Sequence, residues 1–238
     1  MYRVEDSHWW YRGMASISMA ILKRWRSTEK NIKILDAGCG TGAAMKTFLS
    51  DIGGVIGLDL SPQALSFCRL RGADPLVQAT VSNLPFKTNS FNLVTSFDVL
   101  YARTVPDVQA ALKEFSRVLE PGGQLLLRLP AYDWLRGRHD RAVWTARRFT
   151  AHHLVKLLER IGLVVQHYSY ANSILFPLAF LKRMGGQIFP AADSSPDLFL
   201  PPHWLNQVLS AFLKMEAPLV ACGKLPFGLS IFALAQKP

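Results

Sequence analysis

The chain predicts an α/β fold built on a mostly parallel sheet, and three observations carry that reading. Short apolar runs alternate with stretches of helical periodicity from about residue 30 to 170. The run Gln124-Leu-Leu-Leu-Arg-Leu129 is apolar nearly throughout, the composition of a strand covered on both faces. Three glycines at spacing two, Gly38, Gly40 and Gly42, lead from an apolar run ending in Asp36 into a helical pattern. A strand that delivers a glycine turn into a helix brings bare backbone within reach of a ligand, because glycine lacks the Cβ that blocks approach and tolerates positive φ.

The elements follow in order. Residues 8–27 place Trp9, Met14, Ile17, Ile21 and Trp25 near helical period, which predicts a helix over the sheet edge within an N-terminal cap at 1–28. Strand 31–37, helix 42–51, strand 54–59 and helix 62–71 come next. Ser61 suits an N-cap, Pro62 a first turn and Gly72 the close of that last helix. Strand 75–80 leads to a turn near Pro85 and strand 91–97. Pro106 opens a helix that ends near Leu119, with Pro121-Gly-Gly123 as its stop. Strand 124–129, a helix capped by Thr150 and closed by Gly162, and strand 163–170 complete the alternation. Such alternation predicts helices on both faces, joined by right-handed crossovers.

The glycine loop admits two cofactor classes. Gly38-x-Gly40-x-x-Ala43 fits the relaxed dinucleotide fingerprint. Three details favour S-adenosylmethionine. Asp36 stands where a carboxylate suits an ammonium and repels a phosphate. The loop closes up as Gly-Cys-Gly-Thr-Gly. The second strand ends in Asp59, an acid suited to the two ribose hydroxyls, a device that NAD sites share.

At this point the chain resembles the class I S-adenosylmethionine-dependent methyltransferases. The resemblance rests on Leu35-Asp-Ala-Gly-Cys-Gly-Thr-Gly42, Gly57-Leu-Asp-Leu-Ser61, Leu84-Pro-Phe86, Phe91-Asn-Leu-Val94 with Asp98-Val-Leu100, and Arg117-Val-Leu-Glu-Pro-Gly-Gly123, in the family's order and spacing over residues 30–170. It implies one methyltransferase domain over 1–238 with a Rossmann-like, seven-stranded sheet whose last strand is antiparallel; Gly228–Ala235 suits that place. Between strands six and seven an insertion, 171–226, then carries two apolar runs. One reading is a helical hairpin on the sheet end that covers the substrate pocket. The other is an interfacial surface dipping into lipid, with Lys182, Arg183, Lys214 and Lys224 flanking the apolar runs.

For the cofactor, the resemblance implies that Asp36 and the backbone of Gly38, Cys39, Gly40 and Gly42 hold the methionine end. Asp59 takes the ribose, Leu60 lines the adenine, and Phe97 closes the methionine side. The family's adenine-facing acid stands four residues before Leu-Pro-Phe; here that position is Thr80, with Val81 beside it to offer backbone. For catalysis, His139 is the candidate base with Asp140 orienting it, and Tyr101 supplies a hydroxyl near the sulfonium; a histidine near its ordinary pKa suits proton removal at neutral pH. Relatives often have a histidine after strand four, where this chain has Tyr101-Ala102. His8 and Trp9 are candidate lid residues, and Arg147 and Arg148 candidate clamps for a carboxylate or phosphate. His152-His153 have no third partner in view, so no metal is expected.

Bulk composition bounds the rest. The chain has 238 residues, half of them apolar, which suits one α/β domain with an appendage. The first residues lack the apolar core of a signal peptide, and no uninterrupted run is long enough to span a bilayer. Cys39, Cys68 and Cys222 are odd in number and far apart in sequence, so neither a disulfide framework nor a metal site is expected, and a cytoplasmic setting fits. The formal charge of +10 is densest over 131–160 and suits a peripheral anionic membrane surface or an anionic substrate better than nucleic acid, since no nucleic-acid motif accompanies it. The expected activity is methyl transfer to a small or lipid-linked acceptor. The alternative is a scaffold that binds the cofactor without turnover.

Overall fold

The computed structural model describes residues 2, 4–25, 32–135, 145–177, 180 and 200–238. Seven strands form one sheet: β1 (Ile32–Ala37), β2 (Gly53–Asp59), β3 (Leu76–Gln78), β4 (Phe91–Phe97), β5 (Leu119–Pro130), β6 (Val164–Ala171) and β7 (Ser230–Gln236). Their order is β3-β2-β1-β4-β5-β7-β6. β7 runs antiparallel to both neighbours, and the other pairings are parallel. The helices are α1 (Trp9–Trp25), α2 (Pro62–Leu70), α3 (Val108–Val118), α4 (Ala151–Arg160) and α5 (His203–Cys222), and a π-helical turn spans Met45–Leu49.

Both faces of the sheet are covered, and the strands show it residue by residue. In β1, Leu35 and Ala37 join one buried cluster with Leu112 and Phe115 of α3 and Leu154 and Leu158 of α4. Ile32 and Ile34 point the other way, to Met14, Ile17 and Ile21 of α1. This two-residue alternation between two dry faces explains why β1 and β5 read as continuous apolar runs. The predicted caps form: Ser61 Oγ accepts from Ala64 N at 3.3 Å and Thr150 Oγ1 from His153 N at 3.3 Å. Asp107, after the expected Pro106 start, caps α3 through Ala110 N at 3.0 Å.

Two expectations need correction. Helix α1 is not confined to a sheet edge, although its Trp25 stacks on His167 of the edge strand β6 at 5.2 Å. It crosses the face above β1, β5 and β7, packing on Ile34, Leu126, Phe232 and Leu234. The reason is its stripe of Met14, Ile17, Ile21 and Leu22, all at most 1% exposed, which a sheet edge would leave half wet. The second apolar run of the insertion likewise does not cap the sheet end. It forms α5, which lies alongside α1: Asn206 bonds Trp9 N at 2.8 Å near one end, and Ala221 O accepts from Trp25 Nε1 at 2.9 Å near the other. Gly13 allows the close approach between them, since a Cβ there would overlap Leu213. The outer side of α5 leaves Trp204, Val208, Phe212, Met215 and Leu219 exposed. No helix among the described residues is long and apolar enough to cross a membrane. The stretch 181–199, the middle of the insertion, lies outside the described residues.

Candidate functional site

The strand order reverses between β1 and β4, so the carboxyl ends of these strands mark the place where open α/β sheets bind ligands. The glycine loop sits there. Gly38, Gly40 and Gly42 have φ of +85°, +55° and +78°, a region that side chains rarely adopt. Each glycine meets a different demand. A Cβ at Gly38 would overlap Val99, and one at Gly42 would press on Cys68 Sγ at 3.1 Å and Ala73 at 3.2 Å. At Gly40 a Cβ would meet nothing within 4 Å. Two glycines therefore serve packing, and the middle one faces open space.

The amides of the loop turn inward. Gly38 N and Cys39 N donate to Leu58 O at 2.7 and 2.9 Å, and Gly42 N donates to Cys39 O at 2.9 Å. Gly40 N donates to Asp59 Oδ2 at 2.9 Å, and Ser61 N donates to Asp59 Oδ1 at 2.9 Å. What the loop keeps for a ligand is acceptor chemistry and close approach. Asp36 is 2% exposed; its Oδ1 accepts from Thr95 Oγ1 at 2.8 Å, while its Oδ2 has no partner among the described residues. Burial pushes its carboxyl up to about 7, partly offset by the Thr95 bond and the Arg128 charge. An orphaned buried carboxylate oxygen costs stability unless a cation or donor meets it. An ammonium has the charge and the donors that such an oxygen calls for, and Gly40 leaves open space in the same loop.

Along the same rim, Leu60 is 49% exposed at the end of β2, an apolar surface on which an adenine can lie. Thr80 turns its hydroxyl to Ser82 N at 3.3 Å, closing the turn that follows β3. Val81 is buried beside it, and Phe97 packs against Phe48 with ring centroids 6.1 Å apart.

The ends of β4 and β5 build the neighbouring floor. Asp98, at φ +57°, accepts from Arg128 Nε at 2.7 Å. The Arg128 guanidinium lies between two rings, 4.9 Å from Trp10 and 5.0 Å from Phe97. Burial raises the Asp98 carboxyl above its ordinary range despite that pair. Tyr11 is also raised, first by burial and then by Glu5 and Asp98, with Tyr101 contributing in the same direction. Tyr11, Tyr101, Asp98 and Arg128 therefore converge. Arg128 and Trp10 join the floor although neither is among the expected site residues. The available signal was a lone arginine near the carboxyl end of an apolar strand.

The other expected residues divide. His8 is buried; its Nδ1 accepts from Trp10 N at 3.2 Å, and burial lowers its pKa, so the neutral ring carries its proton on Nε2. Trp9 has its backbone tied to α5, and Trp10 is the one that reaches Arg128. Arg147 and Arg148 do not form one clamp: Arg147 donates to Pro106 O at 3.2 Å, whereas Arg148 donates to Ala131 O at 3.0 Å and adds to the positive potential at Asp98. His139 and Asp140 lie outside the described residues.

A strap of residues closes the rim from outside. Glu5 accepts from the Thr41 hydroxyl of the glycine loop. Arg71 donates to Glu5 at 3.1 Å, Thr41 O at 3.1 Å and Tyr2 O at 3.3 Å, and it pairs with Asp6. Beyond β5 stands an aromatic shelf. Tyr132 stacks on Tyr170 at 5.1 Å and meets Trp134 at 5.4 Å and Phe176 at 6.1 Å, and Phe176 meets Phe227 at 5.3 Å. The buried Glu216 of α5 secures this region by accepting from Ser173 N at 3.1 Å and Ile174 N at 3.3 Å.

Comparison with known proteins bears on the domain and on the fold. Residues 35–127 match the family model described as "Methyltransferase domain". The chain is 37% identical over 124 residues to demethylmenaquinone methyltransferase of Staphylococcus aureus (strain MRSA252), covering 46% of this chain and 51% of that protein. It is 38% identical over 124 residues to the Staphylococcus epidermidis protein of the same name, with the same coverage. The chain thus spans about half the length of these relatives. Among solved structures, an S-adenosylmethionine-dependent methyltransferase from Thermotoga maritima superposes with a TM-score of 0.59 at 17% identity, over 97% of this chain and 93% of that one. Phosphoethanolamine N-methyltransferase 2 of Haemonchus contortus, in complex with S-adenosyl-L-methionine, gives 0.58 at 20% identity, over 92% and 52%.

Proposed function

The chain carries a class I S-adenosylmethionine-dependent methyltransferase domain at residues 35–127, and from that premise we propose that it methylates a small or lipid-linked acceptor with an apolar body. The carrying observation is the exposed aromatic shelf of Trp134 and Phe227, set at the same end of the sheet as the glycine loop. The named activity of the staphylococcal relatives supports the same class of acceptor.

S-adenosylmethionine is the cofactor of this domain and, when bound, supplies a methyl group already activated for in-line displacement. The chain's residues hold and orient. Asp36 Oδ2 meets the ammonium, the Asp59 carboxylate faces the ribose hydroxyls, and Leu60 carries the adenine. Tyr11, Tyr101 and the Arg128–Asp98 pair border the acceptor. Trp10 and Phe97 keep water from that border by packing their rings on the guanidinium. Orientation of this kind can supply roughly 7–11 kcal/mol of a barrier. Arg148 adds positive charge beside Asp98 at this border.

The outer stripe of α5 supports a membrane-surface station for such an acceptor. Trp204 and Met215 are 66% and 68% exposed, the acid of α5 is buried, and Arg12, Lys23 and Arg24 of α1 lie next door. The test is turnover of labelled cofactor against small-molecule and lipid extracts, beside sedimentation with anionic and neutral vesicles. Label confined to RNA or protein refutes the acceptor class. Sedimentation with neither vesicle type refutes the surface. A second reading, cofactor binding without turnover, is favoured by Thr80, whose hydroxyl is engaged in its own turn where the family has an acid. Calorimetric binding without label transfer to any extract would select it.

A further inference from the structure

The cysteines at 39 and 68 are 29 positions apart in the chain, yet their sulfurs stand 3.8 Å apart in the interior. We infer that Cys39 and Cys68 are an oxidisable pair whose disulfide withdraws the glycine loop from the cofactor; the second half of this inference rests on the cofactor reading above. Cys39 lies between Gly38 and Gly40. Cys68 belongs to α2, and its Sγ donates to Gly40 O at 3.1 Å. Both thiols therefore hold the segment that approaches the ligand.

The geometry decides which side moves. A disulfide is about 2.05 Å long, so the sulfurs must close by about 1.8 Å. Cys68 is fixed in a helix and fully buried, with Gly42 packed on its sulfur. Cys39 Sγ abuts Gly57 in the neighbouring strand, so it has little room to turn in place. The shift therefore falls on the backbone of residues 38–40, which carries the Gly40 approach and the amide that holds Asp59 in position. Cys68 also loses its proton on oxidation, so Gly40 O loses its donor.

Access is through the cleft. Cys39 keeps 8% of its surface exposed, and its neighbour Gly40 faces open space that admits hydrogen peroxide. One thiol attacks a peroxide oxygen and becomes a sulfenic acid with release of water. The second thiol attacks that sulfur and expels a second water. Two thiols lose two hydrogens, and the peroxide is reduced to two waters. A ligand seated over Gly40 covers the approach, so occupancy protects the pair.

The experiment uses the full chain carrying Cys222→Ser, because Cys222 is exposed and able to cross-link between molecules. Reduced protein is treated with hydrogen peroxide and followed by intact mass, by a non-reducing peptide map and by calorimetric titration with S-adenosylhomocysteine. The expected result is loss of two hydrogens, a peptide link between Cys39 and Cys68, and binding weakened about tenfold, as for the loss of one hydrogen bond to a charged group. A thiol reductant restores it, saturating ligand slows the oxidation, and Cys68→Ser removes the response. Absence of the Cys39–Cys68 link in the Cys222→Ser protein overturns the proposal, as does a link that leaves affinity unchanged. Failure of the reduced protein to bind any ligand refutes the cofactor reading instead, and the peptide map still decides whether the pair oxidises.

Discussion

Cofactor affinity should tighten as pH rises, because the loop's ammonium partner is a carboxyl that burial keeps partly protonated. Asp36 is pushed up to about 7. In the free protein it is protonated at pH 5.5 and about half ionised at pH 7. An ammonium at Oδ2 requires the carboxylate. The apparent dissociation constant then carries a factor of about 33 at pH 5.5 and about 2 at pH 7, so affinity should rise about fifteenfold between them. The ligand's own amine titrates near 8 and stays charged over this span. Calorimetry with S-adenosylhomocysteine in buffers of different ionisation heat measures both affinity and proton count. About half a proton should leave per ligand at pH 7. Affinity that is flat across the span, or proton uptake on binding, refutes the role of Asp36.

The same residue yields a stability test of opposite sign. A carboxyl whose folded pKa exceeds its unfolded value contributes stability below about pH 4 and loses it as pH climbs to 7. The displacement of about three pH units is worth about 4 kcal/mol against the fold at pH 8. Asp36→Asn removes that penalty but leaves an amide hydrogen without a partner, so the free protein should gain about 2 kcal/mol at pH 8. Urea unfolding across pH measures this. A variant less stable than the parent at pH 8 refutes the burial argument.

The same contacts set the outcome of other substitutions. Gly38→Ala should unfold or fail to express, since φ of +85° and the overlap with Val99 act together; Gly40→Ala should fold at a cost of about 1 kcal/mol and lose ligand binding, as thermal melts with and without ligand will show. Arg71→Ala leaves Glu5 buried and unpaired, so it should cost about 3 kcal/mol and expose residues 2–8 to limited proteolysis. Trp134→Ala should raise KM for an apolar acceptor severalfold without changing ligand affinity in calorimetry. Arg128→Met keeps the contact between the two rings but strands the Asp98 carboxylate, so turnover should fall more than cofactor binding in a labelled-methyl assay.

The fold was legible because each strand announces itself locally. β1 and β5 are covered on both faces, so their apolar runs needed no tertiary context to be read, and Ser61 and Thr150 cap the helices they precede. The placement of α1 and α5 was not legible. Both have apolar stripes, and a stripe states that something is covered without stating what. The contact of Gly13 with Leu213 spans 200 positions and leaves no periodic trace. The cofactor residues were legible as identities but not as roles. The glycine pattern pointed to exposed amides, and the structure commits those amides to Leu58 and Asp59, leaving the carboxylate of Asp36 as the loop's open chemistry.

That difference explains why the cofactor can be read from the chain and the acceptor cannot. The cofactor side is built from two strand ends, at 36–42 and 59–60, whose register across β1 and β2 is fixed by backbone pairing from Ile32 with Gly53 to Ala37 with Leu58. Once those strands pair, the site exists. The proposed acceptor side draws Trp10 and Tyr11 from the N-terminal segment, Asp98 and Arg128 from two strand ends, Arg148 from the approach to α4, and the aromatic shelf from both sides of α5. Each of these is placed by packing between elements, and Glu216 shows how: one carboxylate on α5 holds the backbone at 173–174, and Ser173 in turn holds Phe227. A substitution in that helix should therefore change which acceptor is used while leaving cofactor affinity intact, and Glu216→Gln, which keeps one acceptor oxygen, should do so more mildly than Glu216→Ala. Equal loss of cofactor affinity in both variants would show that the two sides are not built independently.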